Sequence, residues 1–303
     1  MRLVTFAIIG AAAMGAAGPT VRVDARAFQP GEVMSVTIDA VDPGQEPRVT
    51  AFDRRAPVFE LSATRWRALV GIDLDVKPGP HDIAIETGPP DHPLRTVRSV
   101  IIARKVFQTR RLTVAEAFVN PPPEVQARIE TEAARLGQLF GAASTRRLWR
   151  GPFARPVSDP ANSAFGSRSI LNGQPRSPHG GTDFLSEAGT PVQAPNAGHV
   201  VLAEDLYYTG NTVVIDHGQG LVSLFAHLSA VNVETGRDVK TGDVIGLVGA
   251  TGRVTGPHLH WTVRLGTARV DPLSLVAIAQ DDPGVPAVNR PAPAPRPRAG
   301  AVP

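Results

Sequence analysis

The sequence predicts a mainly β protein: an N-terminal immunoglobulin-like β-sandwich, a connecting helix and a C-terminal antiparallel β-sheet domain. Three observations carry that reading. Glycine and proline number 29 each in 303 residues while aromatics make up 5%, a balance that favours short strands and turns over long amphipathic helices. Short strand-like runs fill both halves of the chain, alternating apolar and polar residues in the first and separated by glycine turns in the second. One stretch between the halves switches to the three-to-four-residue spacing of a helix.

The elements follow in order. Residues 1–17 carry Arg2, an apolar run from Leu3 to Met14 and the small residues Gly15, Ala16 and Ala17, the pattern of an export signal cleaved near Gly18. Roughly 15 apolar residues fall short of the ~20 that span a bilayer, so a lasting membrane anchor is not expected. Residues 18–112 form the sandwich. Met34, Val36, Ile38 and Ala40 point inward and Ser35, Thr37 and Asp39 outward, as in a half-buried strand. Pro30-Gly31, Pro43-Gly44, Pro78-Gly79 and Gly88-Pro89-Pro90 mark the turns. Residues 113–147 hold the linker: after Pro121, Pro122 and Pro123, one helical face presents Val125, Ile129, Ala133, Leu136 and Phe140. Residues 148–278 return to strands separated by glycine turns, at Gly198–Ala203, Thr212–Asp216, Leu221–His227, Val244–Val248 and His258–Leu265. Residues 279–303 are a Pro/Ala/Arg tail that cannot build a core.

Composition excludes several functions. The chain has no cysteine, so the exported protein has neither disulfides nor the lipidated cysteine of a lipoprotein. Thirty-one basic and 28 acidic side chains leave a formal charge of +3, too even a balance for phosphate-driven binding to nucleic acid.

The histidines carry the chemistry. His179 and Asp183 stand four apart around two glycines in Pro178-His179-Gly180-Gly181-Thr182-Asp183, which lets the backbone fold so that both side chains converge. His258 and His260 stand two apart in a strand-like run, so both look to one face. Two imidazoles and a carboxylate that leave a fourth position to water suit a catalytic zinc; structural sites are more often closed by four ligands, usually with cysteine. His217 reads as a locally hydrogen-bonded residue at a strand end, and His199, His81 and His92 as exposed.

Four ordered motifs make the sequence resemble the lysostaphin-type, or LytM, zinc endopeptidases, which cleave peptidoglycan peptides. They are Asn172-Gly173-Gln174-Pro175-Arg176-Ser177-Pro178-His179 with Asp183, Gly210-Asn211-Thr212-Val213-Val214-Ile215-Asp216-His217-Gly218, Phe225-Ala226-His227-Leu228-Ser229, and Thr251-Gly252-Arg253-Val254-Thr255-Gly256-Pro257-His258-Leu259-His260-Trp261. The likeness runs from Phe165 to Pro272. It implies that His179, Asp183 and His260 hold one zinc and that His227 and His258 flank the attacking water and the scissile carbonyl. Phe225 departs from the pattern, where members often carry tyrosine.

The resemblance implies an endopeptidase acting on peptidoglycan peptide stems, at the D-alanine to diaminopimelate cross-link rather than at glycine bridges. The simple export signal and the lack of a recognisable wall-targeting repeat point to the periplasm, with secretion or tethering by an uncleaved signal as alternatives. A non-enzymatic activator or binding module for wall hydrolases is the second reading, and a peptidase acting on proteins the third. The sandwich is expected to bind glycan, contact a regulatory protein, or cover the active groove as a prodomain.

Overall fold

A computed structural model describes residues 18–39, 41–113, 116–142, 144–162 and 164–279. The expected signal at residues 1–17 and the tail beyond residue 279 lie outside the described residues, as does Ala40. Among the described residues no helix is long and apolar enough to cross a membrane.

Strands dominate, as the composition requires. One N-terminal sheet runs in the order β1 (Thr20–Ala25), β2 (Val33–Asp39), β6 (Arg65–Gly71), β5 (Val58–Ser62). The other runs β4 (Arg54–Arg55), β3 (Arg48–Ala51), β7 (Gly79–Thr87), β8 (Leu94–Ile102). Both are antiparallel, and Met34, Val36, Ile38, Val49, Ile83 and Ile85 close a common core between them. The chain then passes through β9 (Thr109–Leu112), α1 (Glu116–Val119) and α2 (Pro123–Gly141). Proline at the start of α2 suits a position whose N–H has no helical partner.

Next come β10 (Arg168–Leu171) and β11 (Gln174–Pro175), and β10 pairs in parallel with β9, an exception to the antiparallel rule. The principal sheet has nine strands: β12 (Gly181–Phe184), β13 (Pro191–Gln193), β14 (Gly198–Leu206), β15 (Gly210–Gly218), β16 (Leu221–Val231), β17 (Asp238–Val239), β18 (Val244–Val248), β19 (Leu259–Leu265) and β20 (Ala268–Val270). Its central path is β12-β19-β16-β15-β14-β17, and α3 (Pro272–Ala279) ends the described chain.

Both faces of this sheet are covered, so β15 and β16 are buried in long continuous runs rather than alternately. One face carries Phe184, Phe225, Trp261, Val263 and Leu265, packed with Trp149, Leu275 and the sandwich residues Val33, Phe59 and Leu69. The other carries Leu202, Val214, Val222, Leu224 and Ala226 beneath Leu136, Leu139 and Phe140 of α2. Val125, Ile129, Leu136 and Phe140 of the expected helical face are half-buried. Ala133 is exposed, and its neighbour Glu132 turns inward to accept a 2.8 Å hydrogen bond from the Tyr207 amide.

The outward reading of Ser35 and Thr37 is corrected: both are buried. A later part of the chain covers that face of β2, where α3 packs and Ser274 Oγ accepts a hydrogen bond from the Val33 amide at 2.9 Å. Two ion pairs also tie the N-terminal half to the end of the principal sheet. Arg269 binds Asp73, and Arg26 binds Asp271.

Candidate metal centre

The centre is built on one strand pairing. β12 lies antiparallel to β19 with Asp183 directly opposite His260, so the two side chains stand on the same face. His260 Nδ1 is 2.8 Å from Asp183 Oδ1. His179, on the loop before β12, puts Nε2 3.1 Å from that same oxygen and 3.1 Å from His260 Nδ1. The loop is tied down by its backbone, since the His179 amide donates to the Ser167 carbonyl and the His179 carbonyl accepts from Gly166. Gly181 is needed here: a Cβ would come within 2.8 Å of the His260 ring and 2.4 Å of the Trp261 carbonyl oxygen.

Three donor atoms thus form a triangle with edges of 2.8–3.1 Å. Ligands bound tetrahedrally at ~2.0–2.1 Å stand about 3.3 Å apart, so the triangle needs little expansion to hold a small divalent metal. Among the described residues His179, Asp183 and His260 are the group of His, Cys, Asp or Glu side chains close enough to share an ion. Burial opposes ionisation of Asp183, but hydrogen bonds and charge from His179 and His260 outweigh it and hold the carboxyl well below the usual carboxylate range. For His260, burial and the neighbouring His179 push the imidazole down despite Asp183. Its Nε2 lies 2.9 Å from Thr262 Oγ1, leaving Nδ1 to face the carboxylate.

The remaining pair stands beside this triangle. His227 is 4.9 Å from His258 and 6.0 Å from His260 between ring centroids. His258 Nε2 is 3.9 Å from Asp183 Oδ1. His258 Nδ1 lies 2.9 Å from the Gly256 carbonyl and His227 Nδ1 3.0 Å from the Thr251 carbonyl. A carbonyl can only accept, so in each ring Nδ1 carries the proton and Nε2 of the neutral form is bare. Burial, with His260 nearby, pushes His227 down to about 4, so it is neutral at ordinary pH.

A bulge aims His227 into the site. Val213 pairs with Phe225 and Asn211 with Leu228, so Ala226 and His227 stand opposite Thr212 alone. His227 takes a φ of 65°, and there β16 leaves β19 and joins β18. The loops on either side interlock through Gly210 and Gly252, where a Cβ on either would come within 2.5 Å of the other's loop. Tyr208 and Arg253 ride on these loops, with the guanidinium 4.3 Å from the ring centre.

All five expected residues, His179, Asp183, His260, His227 and His258, therefore come together. His217 is fully buried, with Nδ1 2.8 Å from the Ala197 carbonyl and Nε2 2.9 Å from Ser223 Oγ. His92 is exposed, whereas His199 and His81 are half-buried, His199 against Asp238 and His81 against the Lys77 carbonyl. Phe225 is buried and stacked on Trp261 at an interplanar angle of 9°, on the face opposite His260, so a phenol there would lie in the core. Thr262 was missed by sequence reasoning, although its i+2 relation to His260 in a strand is the signal that finds it.

The site lies on the face that α2 also covers. Arg264, whose guanidinium rests 5.1 Å from the Phe140 ring of α2, and His260 share that face of β19, about 13 Å apart along the strand. The sandwich packs on the opposite face, where the space beside Gly71 is filled by Ala268, Val270 and Leu265.

An open centre of two histidines and a carboxylate, flanked by two more histidines on an antiparallel sheet, is the arrangement of a metallopeptidase. Residues 177–272 match peptidase family M23. A Pseudomonas aeruginosa chain of known crystal structure, assigned to peptidase M23, is 35% identical with a TM-score of 0.64, over 82% of this chain and 94% of its own. The chain belongs to peptidase family M23. Peptidoglycan DD-endopeptidase ShyA of Vibrio cholerae is 50% identical over 84 residues, 28% of this chain and 20% of ShyA. Peptidoglycan DD-endopeptidase ShyC of the same organism is 34% identical over 151 residues, 49% of this chain and 34% of ShyC. The matched stretches thus span 20% and 34% of these curated relatives.

Proposed function

We propose that the protein is a zinc-dependent endopeptidase that hydrolyses peptide cross-links of bacterial peptidoglycan, at the bond between D-alanine and diaminopimelate. The observation that carries the reading is the convergence of three donor atoms within 2.8–3.1 Å beside two further imidazoles with bare Nε2 atoms. The names of ShyA and ShyC support the substrate class, and with it a periplasmic location. In this reading the catalytic unit is residues 148–278, backed by the sandwich of residues 18–112.

His179 Nε2, Asp183 Oδ1 and His260 Nδ1 would hold the metal. Zinc, when bound, supplies a Lewis acid that polarises the peptide carbonyl and acidifies a water to a pKa of roughly 7. His258 is the general base: Gly256 occupies its Nδ1 proton, so Nε2 accepts the proton lost by the attacking water. His227 stabilises charge that develops on the substrate or hands a proton to the leaving amine. With Nδ1–H committed to Thr251, it does so only after Nε2 has received the proton that His258 took from the water, and that proton departs with the leaving amine. The intact set of five weighs against the activator reading, which needs none of them.

The test measures zinc content and release of new amino termini from purified, cross-linked peptidoglycan, comparing the mature protein with His260→Ala. One zinc and opened cross-links in the parent, with neither in the variant, support the endopeptidase, and the products identify the bond. A parent that binds zinc yet releases nothing moves the protein to the regulatory reading.

A further inference from the structure

We infer that Arg26 of the sandwich and Asp271 are positioning residues for the metal centre, acting through Thr182 on the reverse side of the strand that bears Asp183. The inference rests on the metal-site reading above and extends it to residues outside the metal centre. Thr182 and Asp183 are adjacent in β12 and point to opposite faces. Thr182 is fully buried, and its Oγ1 donates to Asp271 Oδ1 at 3.0 Å. That oxygen also accepts the Leu273 amide at 3.0 Å, while Oδ2 accepts Arg26 Nη2 at 2.6 Å. Arg26 in turn forks onto Glu32 through bonds of 2.9 and 2.8 Å, and Lys105 approaches Glu32 at 3.6 Å. The Asp271 amide donates to the Gly31 carbonyl at 2.7 Å.

Glu32, Asp271 and Thr182 are buried, and burial makes such a chain costly if left incomplete and rigid when complete. It spans 245 residues of sequence and ends one residue from a metal ligand. Through the Thr182 hydroxyl, β12 is anchored against the sandwich, which fixes the height at which Asp183 meets His260. The sandwich is then a buttress of the metal site rather than a detachable cover.

The experiment compares full-length parent, Thr182→Val, Thr182→Ser and Arg26→Gln for zinc affinity by chelator competition, with metal-free thermal stability measured alongside. Thr182→Val is expected to bind zinc about ten-fold more weakly, Thr182→Ser to match the parent, and Arg26→Gln to fall between. Should Thr182→Val not fold, Arg26→Gln, altered at a half-exposed side chain, carries the comparison. Unchanged zinc affinity in the folded variants overturns the inference and leaves the metal site standing. A parent that binds no zinc removes the metal-site reading itself, and this inference with it.

Discussion

His260 Nε2 lies 2.9 Å from Oγ1 of Thr262, two residues further along the same strand face. In the metal-free chain Nδ1–H donates to Asp183; with a metal bound, Nε2–H donating to the hydroxyl is what frees the Nδ1 lone pair as a ligand. Thr262→Val is therefore expected to weaken zinc binding about ten-fold or more. Isothermal titration with zinc checks this, and an unchanged affinity would show that the metal alone selects the tautomer.

The flanking histidines and the ligands should separate experimentally. His258→Ala and His227→Ala are each expected to lower kcat by about 10²–10⁴ while retaining zinc. Metal analysis of the purified variants beside their turnover decides it. Loss of zinc from either would mean that ligand and catalyst have been assigned the wrong way round.

His217 supplies a pH dependence that does not involve the metal. Burial pushes its imidazole down to about 4 from the ordinary 6.5. The unfolded chain takes up this proton near pH 6.5 and the folded chain only near pH 4, so stability is full above that window and falls as pH drops through it. The associated loss is on the order of 3 kcal/mol. Denaturant titrations of the metal-free parent and His217→Gln between pH 7 and 4 measure it. The variant is expected to have the shallower slope, and equal slopes would contradict the assignment.

Removing residues 18–112 strips Val33, Phe59 and Leu69 from the cluster that contains Trp149, Phe153 and Leu275. It also leaves Asp271 without Arg26. The truncated protein is expected to lose soluble yield and activity on isolated wall. A rise in activity would restore the prodomain reading.

Gly181→Ala places a methyl 2.4 Å from the Trp261 carbonyl oxygen and 2.8 Å from the His260 ring. We expect a loss of about 1–3 kcal/mol in stability and displacement of His260 from the zinc. Thermal melts with and without zinc should then converge, and a preserved zinc-dependent shift would contradict the packing argument.

Much of this was legible in the sequence because it depends on short spacings. Five strands of the second half follow from strand-like runs between glycine turns, and Val244–Val248 coincides with β18. His258 and His260 share a side because their separation is two, and Asp183 follows His179 across two glycines, of which Gly181 is the one the His260 ring needs. What remained hidden depends on partners distant in the chain or on atoms without a side-chain signature. Ser35 and Thr37 alternate as surface residues do, yet both are buried on the strand against which α3 packs. The carbonyls of Thr251 and Gly256 set two imidazole tautomers, yet any residue supplies a carbonyl. Glu132 displaced Ala133 from the inner helical face because a backbone amide at Tyr207 needed an acceptor.

The left-handed backbone of His227 sets fold and chemistry in opposition at a single position. Glycine adopts a φ of 65° with little penalty, whereas a residue that carries a Cβ does so at a cost of roughly 1 kcal/mol or more. A sequence optimised for thermal resistance alone would not keep histidine there. Stabilising libraries screened only for survival of heating should therefore accept glycine at this codon, and screens that also demand turnover should hold histidine constant.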